Sequence, residues 1–422
     1  MKWMTATLLA AVFLAWGGVS RAAGGLDGAA GKVFDVNLTS RSFRFLRQDA
    51  QYDPATGAVG KAWYTVHWTE SATFRECEER RNFSGIRGPV IAVFTGLDAA
   101  AAKALAAGES FRADKVVLRP DLAKATGVSA DGQTVVGWFT PREARFSRDG
   151  TLKLDGRAVD AGVKRGGIRI TIERAHRAAD LATGCWKATL SGKEADGPFV
   201  AAGLVLQRLV DPRSVDDPNL PRVLVVGDSI SMNYHDAAAG ALKGIANYHR
   251  IEDNCWSTLR GVAFMQYWLG DTTRKGLGWD VIHFNSGLHD MKQQTLGGDY
   301  AVGLDAYKKN LRKEIEIMKK TGATLIWCST TPVPNDLGST RYAFRSKGAE
   351  KDFNRAALEV LGDYPEIQIN DLCKVVHESG VFDGWRKGKD VHFWRQDEQA
   401  VLGKAVADAV IKAIKSTSAG GK

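Results

Sequence analysis

The sequence predicts an α/β protein: a flavodoxin-like parallel sheet with helices on both faces, preceded by a mostly β, sandwich-like amino-terminal domain. Three observations carry this expectation. Before about residue 210, short runs of β-branched and aromatic residues are separated by Gly, Asp and Pro turns, the pattern of a sandwich or barrel. Residues 211–221 then hold three prolines and three aspartates with little apolar content, a linker signature. From Arg222 onward, apolar strand-like runs alternate with helical periods, as in a parallel sheet covered on both sides.

At the start of the chain, Lys2 precedes an apolar run from Met4 to Trp16, and Ser20 and Ala22 are small residues at positions a signal peptidase reads. Residues 1–22 are therefore expected to be a secretory signal, and the protein to be secreted or periplasmic. No later stretch approaches the roughly 20 apolar residues needed to span a bilayer. Export permits disulfides, and Cys77 with Cys185 is the expected pair among the five cysteines. No cysteine spacing suits a structural zinc, and neither metal nor cofactor is called for. The net charge is +9, and +7 without Lys2 and Arg21. That excess fits an acidic polysaccharide, or equally a basic surface unrelated to substrate. It forms no dense run of the kind nucleic acid requires.

The amino-terminal domain, 30–210, has strand-like runs at 63–68, 90–94, 135–139, 152–154, 168–172, 186–190 and 203–206, with an Ala-rich helix at 98–107. Trp63, Trp68, Trp138 and Trp186 read either as sugar-stacking surfaces or as core, and core is the commoner fate in β domains. In the second domain, 222–415, strands are expected at 222–226, 248–251, 281–284, 324–328 and 367–369. Helices are expected at 234–242, 349–361 and 398–415. A further helix carries Leu304, Tyr307, Leu311, Ile315 and Met318 on one face, with Lys308, Lys309, Arg312 and Lys319 opposite. A disordered tail is expected over 416–422.

The strand at 222–226 stops at Gly227-Asp228-Ser229, where an open α/β sheet forms its ligand site. A serine there needs a base to remove its proton, and a carboxylate to orient that base. Asp390-Val391-His392, just before the last helix, supplies both at the same sheet edge if the strand order is flavodoxin-like. Two loops after later strands, Asn254-Cys255-Trp256-Ser257-Thr258 and Asn285-Ser286-Gly287-Leu288-His289-Asp290, face the same crevice and offer donors for an oxyanion. Against this, Asn285 is a common turn former and His289 a common buried histidine.

Together, Gly227 to Ser231, the Asn254 loop, Asn285-x-Gly-Leu-His-Asp290 and Asp390-Val-His-Phe393 resemble the SGNH/GDSL hydrolase family. The nearest likeness is to its bacterial polysaccharide-associated esterases, over about 222–414. The resemblance implies Ser229 as nucleophile, His392 as general base then acid, and Asp390 as orienting carboxylate. Asp228, Asn254, Cys255, Asn285, Gly287 and His289 fall in the oxyanion and substrate-binding blocks. Three departures stand out. The acid normally lies three residues before the histidine, where this chain has Lys389, so Asp390, Asp383 or a backbone carbonyl fills that role. The glycine of the second block is absent around Asn254-Cys255. His289 stands where the family has its oxyanion asparagine, leaving His289 or Asn285 as the donor. The implied activity is acyl, chiefly acetyl, removal from a carbohydrate ester. The alternatives are a lipid or thioester hydrolase on the same scaffold, or a carbohydrate-binding protein whose hydrolase domain has decayed.

Overall fold

A computed structural model describes residues 25–80, 169–194, 199–339, 342–379 and 390–420, with isolated strand segments between 90 and 160. The amino-terminal half is organised by β1 (Ala30–Asn37), β2 (Ser42–Arg47), the 18-residue β3 (Trp63–Arg80) and β4 (Arg169–His176). A short helix α1 (Ala178–Thr183) leads into β5 (Cys185–Glu194) and β6 (Phe199–Leu209). The pairing closes on itself. β5 pairs with β1 and β6, and β6 returns in parallel to β3. The ring β1-β2-β3-β6-β5 is a five-stranded barrel of the OB kind, in place of the stacked sheets of a sandwich. The length of β3 makes this closure feasible: its first residues pair with β2, its middle with β6 and its end with β4. The register slips between Ala201 and Gly203, where so long a strand has to bend.

Alternate residues of the ring point inward. Phe43, Phe45, Val66, Trp68, Trp186, Ala188, Leu190, Leu204 and Leu206 form its core. Trp68 and Trp186 are therefore packing residues, not sugar platforms. Trp63 lies against Phe34 and beneath the Arg44 guanidinium, 4.2 Å from its ring. The Trp138 side chain, residues 1–22 and nearly all of 98–107 fall outside the described residues. The expected Cys77–Cys185 bridge does not form, and none of the five cysteines is in a disulfide. Cys77 sits on β3 opposite Glu173, Cys185 on β5 opposite Leu209, and β6 runs between those two strands.

After a 3-10 turn at Pro212–Ser214, the chain alternates strand and helix: β7 (Arg222–Val226), α2 (Ser229–Ala241), β8 (Asn247–Arg250), α3 (Thr258–Leu269), β9 (Val281–Phe284), α4 (Leu304–Lys319) and β10 (Thr324–Cys328). A hairpin of β11 (Leu337–Ser339) and β12 (Tyr342–Arg345) follows, then α5 (Glu350–Leu361), β13 (Gln368–Asn370), α6 (Leu372–Glu378) and α7 (Gln396–Gly420). β7, β8, β9, β10 and β13 form one parallel sheet in the order 2-1-3-4-5. Neighbouring strand residues face opposite layers. Val223, Val281 and Ile326 pack with Ala407, Val410 and Ala413 of α7, while Leu224, Ile282 and Leu325 join the larger core that includes α3, α4 and α5. Among the described residues, no helix is long and apolar enough to cross a membrane.

Two elements differ from expectation. α7 runs to Gly420 and takes in most of the tail read as disordered. Ser416 Oγ donates to Ala413 O at 2.8 Å and is contacted by Gln368 of β13, so the last turns are held by the sheet edge. α3 escapes an amphipathic search because it is apolar nearly all round; such a helix must be buried on every side. Its second cover is the barrel. Leu46, Ala50 and Ala62 belong to the same core, Ala50 N–H donates to Ala263 O at 2.9 Å, and Lys32 Nζ donates to Tyr267 O at 3.1 Å.

Candidate active site

β7 ends at Val226, and Asp228 caps α2, its Oδ1 accepting the Ile230 N–H at 2.9 Å. Asp228 is 1% exposed. It is thus a positioning residue under the helix, rather than the substrate contact its motif position suggested. Ser229 is the first residue of α2. Its N–H consequently has no acceptor within the helix and points with the helix dipole toward the crevice.

The structure brings Ser229, His392 and Asp390 together. Ser229 Oγ lies 2.8 Å from His392 Nε2, and His392 Nδ1 lies 2.8 Å from Asp390 Oδ1. An ionised carboxylate can only accept, so Nδ1 carries the proton and Nε2 is left to accept from the serine hydroxyl. Asp390 also accepts from Val391 N–H (2.7 Å) and from the Trp394 indole N–H (2.8 Å, on Oδ2). Burial pushes its pKa up, but the Trp394 and His392 hydrogen bonds outweigh it and the net shift is downward. This tight turn explains how Asp-x-His can work at a two-residue spacing. Phe393 N–H donates to Asn233 Oδ1 of α2, and Gln399 of α7 donates to Phe393 O, which pins the His392 loop to both helices. Asp383, the other candidate acid, lies outside the described residues.

The oxyanion candidates separate cleanly. Asn254 N–H donates to Asp253, Cys255 N–H to Gly227 O and Trp256 N–H to Asn254 Oδ1, so these amides of the loop are already engaged. Cys255 is 0% exposed, with its thiol toward Asn285 O. Asn285 directs Nδ2 to Cys328 O at 2.7 Å and to Thr330 Oγ1, tying the end of β9 to β10. Cys255 and Asn285 are therefore scaffold, and Asn254 shapes the loop through its Oδ1. Gly287 has φ +151, and a Cβ there would sit 2.5 Å from Thr330 Oγ1, so only glycine fits. His289 remains. Its ring stacks on Trp256 at 5.8 Å and 15°. Burial, reinforced by the charges of Lys292, Arg345 and His392, holds its pKa well below the usual imidazole range. A neutral imidazole next to His392 is a hydrogen-bond donor that does not itself compete for protons.

Three residues of this crevice were missed in the sequence, Trp394, Lys292 and Arg345, while Trp256 lay in the first donor loop without a role of its own. Trp394 was the most findable, standing two places after His392; it is 66% exposed, with its ring 5.3 Å from the imidazole. Arg345 arrives from a separate hairpin and left no local signal. Among the described residues, Glu350, Cys373 and His377 bring three ligand-type atoms within 4.8 Å of one another. The Glu350 carboxylate there already accepts from Val333 N–H at 2.9 Å.

Asp290 anchors the loop from behind. It is 0% exposed, and accepts from Thr258 Oγ1 (2.6 Å) and Thr258 N–H (3.0 Å). Burial pushes its pKa up to about 7, against the pull of those bonds. In an unfolded chain the value is about 3.9. The folded protein then keeps a proton that the unfolded one has lost between about pH 4 and 7, so this group makes stability fall with rising pH across that window and stay level above it. The expected loss reaches about 4 kcal/mol. Thermal melting of Asp290→Asn should decline less between pH 4 and pH 8 than that of wild type; equal declines would refute this.

No protein-family model matches the chain, and no curated protein matches it. Solved structures do match. They include a GDSL-like lipase from Bacteroides thetaiotaomicron, with 16% identity, 46% of this chain and 88% of that one covered, and a TM-score of 0.34. An acetyl xylan esterase matches at 14% identity, over 45% of this chain and 99% of its own, with a TM-score of 0.36. A lipase/acylhydrolase from Enterococcus faecalis matches at 16% identity, over 46% and 96%, with a TM-score of 0.32. Over a little under half its length, the chain is similar to solved GDSL-type lipases and acetyl xylan esterases.

Proposed function

We propose that the protein is a serine esterase that removes acyl groups, chiefly acetyl, from an oligosaccharide or polysaccharide through an acyl-enzyme on Ser229. The observation that carries this reading is the unbroken hydrogen-bonded chain from Ser229 Oγ through His392 to Asp390. His392 Nε2 takes the hydroxyl proton as Oγ attacks the ester carbonyl. The negative charge that develops on the carbonyl oxygen is met by the Ser229 N–H at the start of α2 and by the neutral His289 ring. His392 then returns the proton to the departing sugar oxygen, and the C–O bond breaks. In the second half His392 deprotonates a water, which attacks the acyl carbonyl, and Ser229 leaves with its proton restored. Asp390, kept anionic by Trp394, stabilises the imidazolium at each stage.

Sugar as the alcohol is supported by the exposed Trp394 indole beside His392. Flat aromatic faces with a polar edge suit a pyranose ring. The apolar run at 1–22 supports a secreted or periplasmic setting, and the β half, 30–210, is read as a domain joined to 222–415 through 211–221 and packed on α3. The test is direct. Wild type should release acid from p-nitrophenyl acetate faster than from the octanoate ester, and a fluorophosphonate should add one phosphonyl group per chain, on Ser229. Absence of both hydrolysis and labelling would sink the proposal; faster cleavage of the octanoate would replace the sugar ester with a lipid.

A further inference from the structure

The crevice holds two cations that the mechanism above does not use. β12 lies beside the oxyanion loop because Phe344 and Gln293 exchange backbone hydrogen bonds, at 2.9 and 2.8 Å. This brings Arg345 in, and its Nε donates to Leu288 O at 2.7 Å, one residue before His289. Among the described residues that is the side chain's hydrogen bond, and no carboxylate stands within ion-pair distance of it. Its end-on pair of nitrogens is left for a ligand. Lys292 is the neighbour of Gln293 in the same loop. Burial lowers the pKa of both, that of Lys292 to about 8 with Arg345 as the second cause; the buried Asp228 favours both cations, and Asp390 the Arg345 cation. The Gln293–Phe344 bridge is antiparallel, so Lys292 and Arg345 stand opposite each other across it, and an anion bound there would meet two partly desolvated cations.

We propose that Arg345 and Lys292 form an anion subsite at the oxyanion end of the crevice, so that the preferred substrate is an ester of a uronic acid, its carboxylate on the same sugar as the acyl group. The inference rests on the esterase reading. A planar guanidinium matches a carboxylate through two parallel N–H bonds, and the lysine adds a point charge. The hydroxymethyl group of a neutral sugar offers neither cation a counter-charge.

The experiment compares methyl mono-O-acetyl glucuronide with methyl mono-O-acetyl glucoside, which differ only in carboxylate against hydroxymethyl. Wild type should favour the uronate by about 10- to 100-fold in kcat/KM at low salt, chiefly through KM. That preference should shrink as salt is raised. Arg345→Gln also removes the bond to Leu288 O, so Lys292→Gln is measured alongside it, and each should cut the ratio of uronate to neutral kcat/KM at least about 10-fold. Equal rates on the two sugars in wild type, or a ratio that neither variant changes, would overturn the subsite and leave the esterase standing. Hydrolysis of neither sugar nor p-nitrophenyl acetate would overturn the esterase itself.

Discussion

Ser229→Ala is expected to lower ester turnover by at least about 10⁴-fold. The melting temperature should stay within about 2 °C of wild type, because the residue sits at the first position of α2 and its side chain carries no core packing. The magnitude follows from cooperation. His392 Nε2 is set against the Ser229 hydroxyl, so without that oxygen the base has no serine proton to move. Water activated by His392 would be the residual pathway, and it lacks the proximity advantage of a tethered nucleophile. The check is a pair of measurements on one preparation: steady-state release from p-nitrophenyl acetate, and thermal melting. An alanine variant retaining a tenth of the activity would show that acyl transfer does not pass through this hydroxyl.

The second large effect is expected at His289. His289→Ala should cost about 10²- to 10³-fold in kcat, with KM changed far less, since the lost donor acts on charge present only in the transition state. Two further variants separate donation from packing. His289→Asn keeps a side-chain N–H and should recover much of the loss. His289→Phe keeps the stack on Trp256 but offers no donor, and should be as impaired as alanine. An active phenylalanine variant would mean that the ring only fills space. Burial and the nearby charges of Lys292, Arg345 and His392 hold the His289 pKa well below the usual imidazole range, which favours a neutral ring whose hydrogen bond to an oxyanion would add no further positive charge to the cleft.

What could be read from the sequence, and what could not, follows the range of the interactions involved. The strand ending at Gly227, the amphipathic α4 and the motif residues Ser229, Asp390 and His392 are local patterns, and local patterns survive in a linear string. The roles of Asn254, Cys255 and Asn285 stayed open in the sequence for a different reason. A side chain in the right block is a candidate donor until its partners are known, and here Gly227, Asp253, Cys328 and Thr330 have claimed those polar groups. Arg345 lay beyond reach because a hairpin more than fifty residues from Leu288 delivers it. Closure of the barrel depends on pairing β6 with β3, far apart in the chain, and strand propensity says nothing of such partners. α3 was invisible because its solvent-facing side does not exist.

That last feature binds the two halves of the molecule into one cooperative body. With one flank of α3 against the sheet and the other beneath Leu46, Ala50 and Ala62, the α/β half has no finished surface of its own on that side. The barrel is thus a permanent wall of that half and not an interchangeable accessory, and a replacement would have to supply a matching apolar seat. Substitutions on either side of this seam are constrained by the other.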